Sequence, residues 1–202
     1  MARLIFFTGH AGAGKSTIAA RAVPALHART GESFCLLDKD TLYGAYSARV
    51  MHLLTGDAQD RDSPTYLDNL RDPEYAGLID VARENLALGV NALVVGPFSR
   101  ELRDGLLFDA ARMRMPSGTR VTVVWVALDE DEARRRIEKR GDPRDRYKLE
   151  HWDEYRLRRF DPDPATFPGL LRFDNTVFDP ERFGALIGHV AGDPVSDRAS
   201  RP

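Results

Sequence analysis

Residues Gly9-His10-Ala11-Gly12-Ala13-Gly14-Lys15-Ser16 follow the pattern G-x-x-x-x-G-K-S, between the apolar run Leu4-Ile5-Phe6-Phe7 and the helix-forming stretch Ile18-Ala19-Ala20. That order constrains the fold sharply. It predicts a buried parallel strand, a loop whose glycines let backbone N–H groups turn inward around a phosphate, and a helix whose N-terminus adds a positive dipole end. Gly12, Ala13, Gly14, Lys15, Ser16 and Thr17 are therefore the candidate triphosphate contacts. Lys15 would reach the β- and γ-phosphates, and Ser16 would hold Mg²⁺.

Further along the chain, apolar runs alternate with helical patterns, the mark of an α/β fold with helices on both faces of a parallel sheet. Five strands are expected at Arg3 to Thr8, Ser33 to Leu37, Ala92 to Val95, Arg120 to Ala127 and Leu170 to Phe173. The first helix should run from Gly14 to about Ala28, with Pro24 kinking it or shifting its last turn. Leu42, Tyr46, Val50 and Leu53 recur at helical spacing up to a capping Gly56, and Ser63-Pro64 starts another helix with Tyr75, Leu78, Ile79, Ala82 and Leu86 on its core face. Residues 41–90 thus form a helical insertion between strands two and three, suited to selecting a second substrate. Residues 1–191 read as one domain of three layers, and 192–202 as a flexible tail.

Composition limits the function classes. A net charge of −2 argues against a surface built to grip nucleic acid. Cys35, the single cysteine, excludes an internal disulfide framework, and its apolar setting predicts a buried free thiol in a reducing compartment. No apolar stretch approaches membrane-spanning length, and Met1-Ala2-Arg3 leads straight into strand one. A cytoplasmic protein is expected, with no membrane partner.

Strand two ends in Leu37-Asp38-Lys39-Asp40-Thr41, at the sheet edge where open α/β folds place ligands. With the glycine-rich loop, this D-x-D resembles the P-loop kinases of small molecules, a group that includes shikimate and gluconate kinases, chloramphenicol phosphotransferase and the polynucleotide 5′-kinases. The resemblance implies ATP and Mg²⁺ as cofactors and an acid that takes the proton of a substrate hydroxyl. Asp40 is then the base and Asp38 the metal or positioning partner, with the two roles open to exchange. A local alternative is that both acids cap the next helix.

Residues 134–148 hold eight Lys and Arg against three acids. Arg136 and Arg140 stand one helical turn apart, and by the same resemblance Arg136 packs on adenine while Arg140 reaches the phosphates. Arg144, Arg146 and Lys148 look like a closing, arginine-rich lid over about 134–159. The competing reading is a solvated basic face. Asn175, in the Asp174-Asn175-Thr176 turn, resembles an adenine contact. Asp129 reads as a helix cap rather than part of a hydrolytic Asp-Glu box. Strand three ends in Gly96-Pro97-Phe98, without the acid that many relatives carry, and Arg100 just beyond it points to the substrate side, as does Tyr43. The expected activity is ATP-dependent phosphorylation of a small-molecule hydroxyl. The alternatives are a polynucleotide 5′-hydroxyl kinase, for which Tyr43, Tyr46, Arg49 and His52 would supply part of a channel, and a regulatory nucleotide-hydrolysing switch without an acceptor.

Overall fold

The computed structural model describes residues 2–157 and 159–192. Its sheet contains β1 (Arg3–Thr8), β2 (Phe34–Asp38), β3 (Asn91–Val95), β4 (Arg120–Ala127) and β5 (Leu170–Asp174), in the order β2-β3-β1-β4-β5. Every pairing is parallel, with Phe6 flanked by Val94 and Val123. The central strand explains the layers, because alternate side chains of a strand leave on opposite faces. Leu4 and Phe6 pack with Leu78, Ala82, Phe98 and Leu102 on one face. Ile5 and Phe7 pack with Ile18, Ala22, Leu26 and Ile187 on the other.

The second of these faces is covered by α1 (Lys15–Thr30) and α9 (Pro180–Ala191). Helix α1 runs through Pro24 to Thr30 and stops at Gly31, whose φ of 69° is the left-handed cap that glycine adopts without strain. The first face is covered by α4 (Asp72–Ala87) and the short α5 (Ser99–Arg103), with a 3-10 turn at Leu106–Phe108.

Between β2 and β3 lie α2 (Lys39–Thr55), α3 (Pro64–Tyr66) and a π-helical turn at Leu67–Arg71 that leads directly into α4. Ser63 caps α3 as expected, its hydroxyl accepting from the Tyr66 amide at 3.3 Å. Helix α2 forms, but the periodic stripe does not face inward. Tyr46 is 65% exposed and Leu53 67%, while Ser47 and Met51 are buried. The inward face is set instead by a polar contact, since the Ser47 hydroxyl donates to Glu74 of α4, with Met51 packed on Tyr66 and Leu70. Cys35 is only half-buried, because β2 is an edge strand.

Beyond β4, Asp129 caps α6 (Glu130–Arg140) through the Glu132 amide at 3.1 Å. The expected lid region then breaks into a 3-10 turn at Pro143–Asp145, α7 (Arg146–Glu150) and α8 (Trp152–Leu157). Of the expected tail, Gly192 caps α9 and residues 193–202 lie outside the described residues. Among the described residues no helix is long and apolar enough to cross a membrane.

Candidate functional site

A cavity of about 760 Å³ opens at the carboxyl edge of the sheet, where the loop after β1 meets the ends of β2 and β3. It falls within the roughly 300–1,000 Å³ usual for small-molecule sites. The loop is shaped by close backbone approach. A Cβ on Gly9 would lie 2.5 Å from the Val126 carbonyl oxygen, and one on Gly14 would lie 2.6 Å from Asn175 Nδ2. Both glycines have positive φ, 143° and 85°, so a side chain there is excluded on two counts.

Asn175 explains the second clash. Its Nδ2 donates to the Ala13 carbonyl at 2.8 Å and its amide to Ala127 at 2.9 Å, tying the loop to the ends of β4 and β5. Arg136 in turn donates from Nη2 to the carbonyls of Asn175 and Thr176, both at 2.8 Å, and from Nε to Glu132 at 2.6 Å. Both side chains line the cavity, and both also act as struts beneath the loop.

Lys15 Nζ donates to the His10 carbonyl at 2.8 Å. Burial pushes its pKa down from 10.5 to about 8, against the opposing pull of Asp40 and Asp38. Ser16 Oγ donates to Asp38 Oδ2 at 2.5 Å, while Asp38 Oδ1 accepts from the amides of Asp40 and Thr41 at 2.9 and 3.3 Å. Asp38 is therefore the α2 cap foreseen as the local alternative, and it faces Ser16 at the same time. The hard oxygens of Ser16 and Asp38 suit a Mg²⁺ that takes its remaining ligands from phosphates and water.

Asp40 does no capping. Its carboxylate lies 3.2 Å from Lys39 Nζ and 3.5 Å from Arg144 Nη1, on the cavity wall. Partial burial would raise its pKa, but Lys39, Arg144 and Lys15 together outweigh this and hold it below the usual carboxylate range.

The cationic segment is tethered by acids. Arg140 Nε donates to Asp145 at 3.0 Å, Arg144 pairs with Asp142 at 2.7 Å, Arg146 with Asp57 at 3.2 Å and Lys148 with Asp62 at 2.9 Å. Arg140, Arg144 and Lys148 line the cavity, and Arg146 does not. Arg100 lines it with one long contact, 3.4 Å to Asp72. Tyr43 does not: its hydroxyl abuts Gly77 of α4, on the core side of α2.

Sequence reasoning missed two groups. Lys39 is buried and bridges Asp40 to Glu74, with Nζ 2.9 Å from Glu74, which also accepts from Tyr66 Oη at 2.7 Å. A Lys between two Asp was visible, but nothing marked its partner 35 residues away. His10, an unassigned position of the loop motif, meets the Phe160 carbonyl at 2.7 Å and the edge of Trp125, with ring centroids 5.1 Å apart. Burial, then the nearby Arg159, Lys15 and Arg103, hold its pKa at about 4, so it is neutral at pH 7.

Similar architectures occur in solved structures. A sugar kinase from Janibacter sp. HTCC2649 aligns with TM-score 0.58 and 18% identity, covering 94% of each chain. Chaetomium thermophilum Kti12 in complex with ADP-AlF3 aligns with TM-score 0.63 and 18% identity, covering 93% of this chain and 96% of that one. A gluconokinase from Sinorhizobium meliloti 1021 gives TM-score 0.51 and 19% identity, covering 94% and 93%. At these identities the likeness is one of fold. No curated protein matches the sequence. The AAA domain family AAA_33 matches residues 4–162, from β1 through the glycine-rich loop and the cavity walls to the segment after α8, and the chain belongs to that family.

Proposed function

We propose that this protein transfers the γ-phosphoryl group of ATP to a hydroxyl of a small molecule. The observation that carries the reading is the division of labour between the two acids. Asp38 accepts from the α2 amides and Ser16, whereas Asp40 makes no bond to the helix backbone and sits on the cavity wall between Lys39 and Arg144. A hydrolytic switch would turn the same carboxylate on water, so the two readings part on whether an acceptor accelerates ADP release.

In this reading the loop amides and Lys15 hold the triphosphate, and Ser16 with Asp38 holds Mg²⁺, which neutralises phosphate charge when bound. Arg140 and Arg144 leave part of their acid pairing to meet the transferring group. The acceptor oxygen forms a bond to the γ-phosphorus, the bond from that phosphorus to the β–γ bridging oxygen breaks, and ADP departs. The hydroxyl proton passes to Asp40. Its low pKa suits a late transfer, because the attacking hydroxyl becomes acidic only as the new bond forms. Lys39 orients Asp40 and is itself fixed by Glu74.

The test is a metabolite-library screen for acceptor-dependent ADP release, with each phosphorylated product identified by mass spectrometry and 5′-hydroxyl oligonucleotides included. A single phosphorylated small molecule supports the reading. ATP hydrolysis that no acceptor accelerates would replace it with the switch, and phosphorylated oligonucleotides would replace it with the polynucleotide kinase.

A further inference from the structure

Among the described residues, twelve Lys and Arg and only four Asp line the cavity, in a chain of net charge −2. Lys15, Arg136, Arg140 and Arg144 belong to the loop and lid that would meet the nucleotide. A separate group comes from the layer on the other side of the sheet from α1. Arg100 and Arg103 lie on α5, and Arg159 follows α8.

Three features of this group point to a ligand. The Nη1 atom of Arg159 is buried without a hydrogen-bond partner, and its Nη2 reaches the Leu128 carbonyl only at 3.5 Å. A guanidinium left in that state is costly unless something completes it. Arg100 has one long contact to Asp72, a carboxylate already held by Arg71 at 2.7 Å. The third feature is backbone strain. Phe98 is fully buried between Phe6 and Tyr75 with φ of 46°, a left-handed conformation that costs a bulky residue about 1–3 kcal/mol. That turn takes the chain out of β3 into α5, so that Arg100 and Arg103 meet the cavity. Arg103 is seated over the Phe160 ring, 4.1 Å from its centroid, next in sequence to Arg159.

We infer that the acceptor carries an anionic oxyacid group, phosphate or carboxylate, besides its reacting hydroxyl, and that Arg100, Arg103 and Arg159 hold that group. Planar guanidinium forks match both oxyanions in geometry and charge, and they would discriminate against a neutral polyol. The inference rests on the phosphotransfer reading, since it concerns the second substrate of the same cavity.

The experiment blocks the nucleotide site first. The protein is saturated with Mg²⁺ and the non-hydrolysable analogue AMP-PNP at constant ionic strength. Its Tm is then followed while glucose, gluconate, glucose 6-phosphate or inorganic phosphate is added. An anion at tenfold above its Kd should raise Tm by about 3–6 °C with saturation, and glucose should not. Whether gluconate or the phosphates bind more tightly identifies the oxyacid. Arg100→Gln and Arg159→Gln should each weaken the anion at least tenfold, and Arg134→Gln, on the exposed side of α6, less than twofold. An effect of glucose equal to the anions, no effect of any anion, or an anion effect undiminished in both variants overturns the inference. If AMP-PNP itself leaves Tm unchanged, the phosphotransfer reading fails and the inference goes with it.

Discussion

Replacing Lys15 by Met should make the unliganded protein more stable while disabling it. The half-buried ammonium, on the cavity wall, titrates at about 8 instead of 10.5, a difference of about 3 kcal/mol against the charged form. The hydrogen bond from Nζ to the His10 carbonyl offsets about 1 kcal/mol of that. Met keeps the aliphatic stem and removes the charge, so Lys15→Met should gain about 2 kcal/mol at pH 7, or about 4–8 °C in Tm. Between about pH 8 and 10.5 the unfolded wild-type chain holds a proton that the folded chain has lost, so wild-type stability rises with pH through that window. The advantage of the variant should therefore shrink by about 2 kcal/mol by pH 9.5. Differential scanning calorimetry at pH 7 and 9.5 measures both numbers. Saturating MgATP should reverse the order, because only wild type gains from the nucleotide, and turnover should fall by ~10²-fold or more in the variant. A variant less stable than wild type at pH 7, or an advantage unchanged at pH 9.5, would refute the idea that Lys15 is held charged at a cost until phosphate arrives.

Other positions test the supports of the site. Asn175→Ala leaves the Ala13 carbonyl without its buried donor, so the Kd for ATP should rise roughly tenfold and stability fall by about 1–3 kcal/mol; a Kd within twofold of wild type would show that the loop holds its own shape. Arg140→Ala should lower kcat at least tenfold and leave the buried Asp145 with the more distant Lys148, whereas Arg134→Ala, which pairs with exposed Glu138 and lies over the Trp152 ring, should change kcat less than twofold; equal small losses would mean a solvated basic face. Glu74→Ala leaves the buried Lys39 ammonium with Asp40 as its acid partner and takes the acceptor from the Ser47 and Tyr66 hydroxyls, and should cost about 3–5 kcal/mol in denaturant unfolding, part of it recovered by the apolar pair Lys39→Met and Glu74→Leu; a double variant no more stable than Glu74→Ala would deny that the two charges are coupled.

What the sequence made legible was local. The glycine-rich loop is contiguous, the strand before it is a continuous apolar run because both its faces are buried, and Asp38 and Asp40 stand one residue apart at a strand end. Long-range pairing was not legible. Arg71 grips Glu101 bidentately across 30 residues, and Asn175 reaches Ala13 across 162. A charge in a sequence carries no mark of the partner that folding will bring to it. The run at 134–148 therefore read as free cations poised over phosphate, although the fold pairs Arg140, Arg144 and Lys148 with Asp145, Asp142 and Asp62. Helix α2 was legible as a helix, but not which face it buries. Its apolar spacing was real, but a buried hydroxyl–carboxylate contact at Ser47 outweighed it in choosing the inward face.

The acid at the end of the D-x-D carries the central claim. Asp40→Asn keeps the shape and part of the hydrogen bonding but cannot accept a proton. With the acceptor identified by the screen, phosphorylated product by mass spectrometry should fall by ~10² to 10⁴-fold, while the Kd for ATP from titration stays within about threefold of wild type. Asp38→Asn, measured alongside, should instead raise the Mg²⁺ concentration needed for half-maximal rate. Full transfer by Asp40→Asn would contradict the account; if Asp38→Asn alone abolished it, the proton would belong to Asp38.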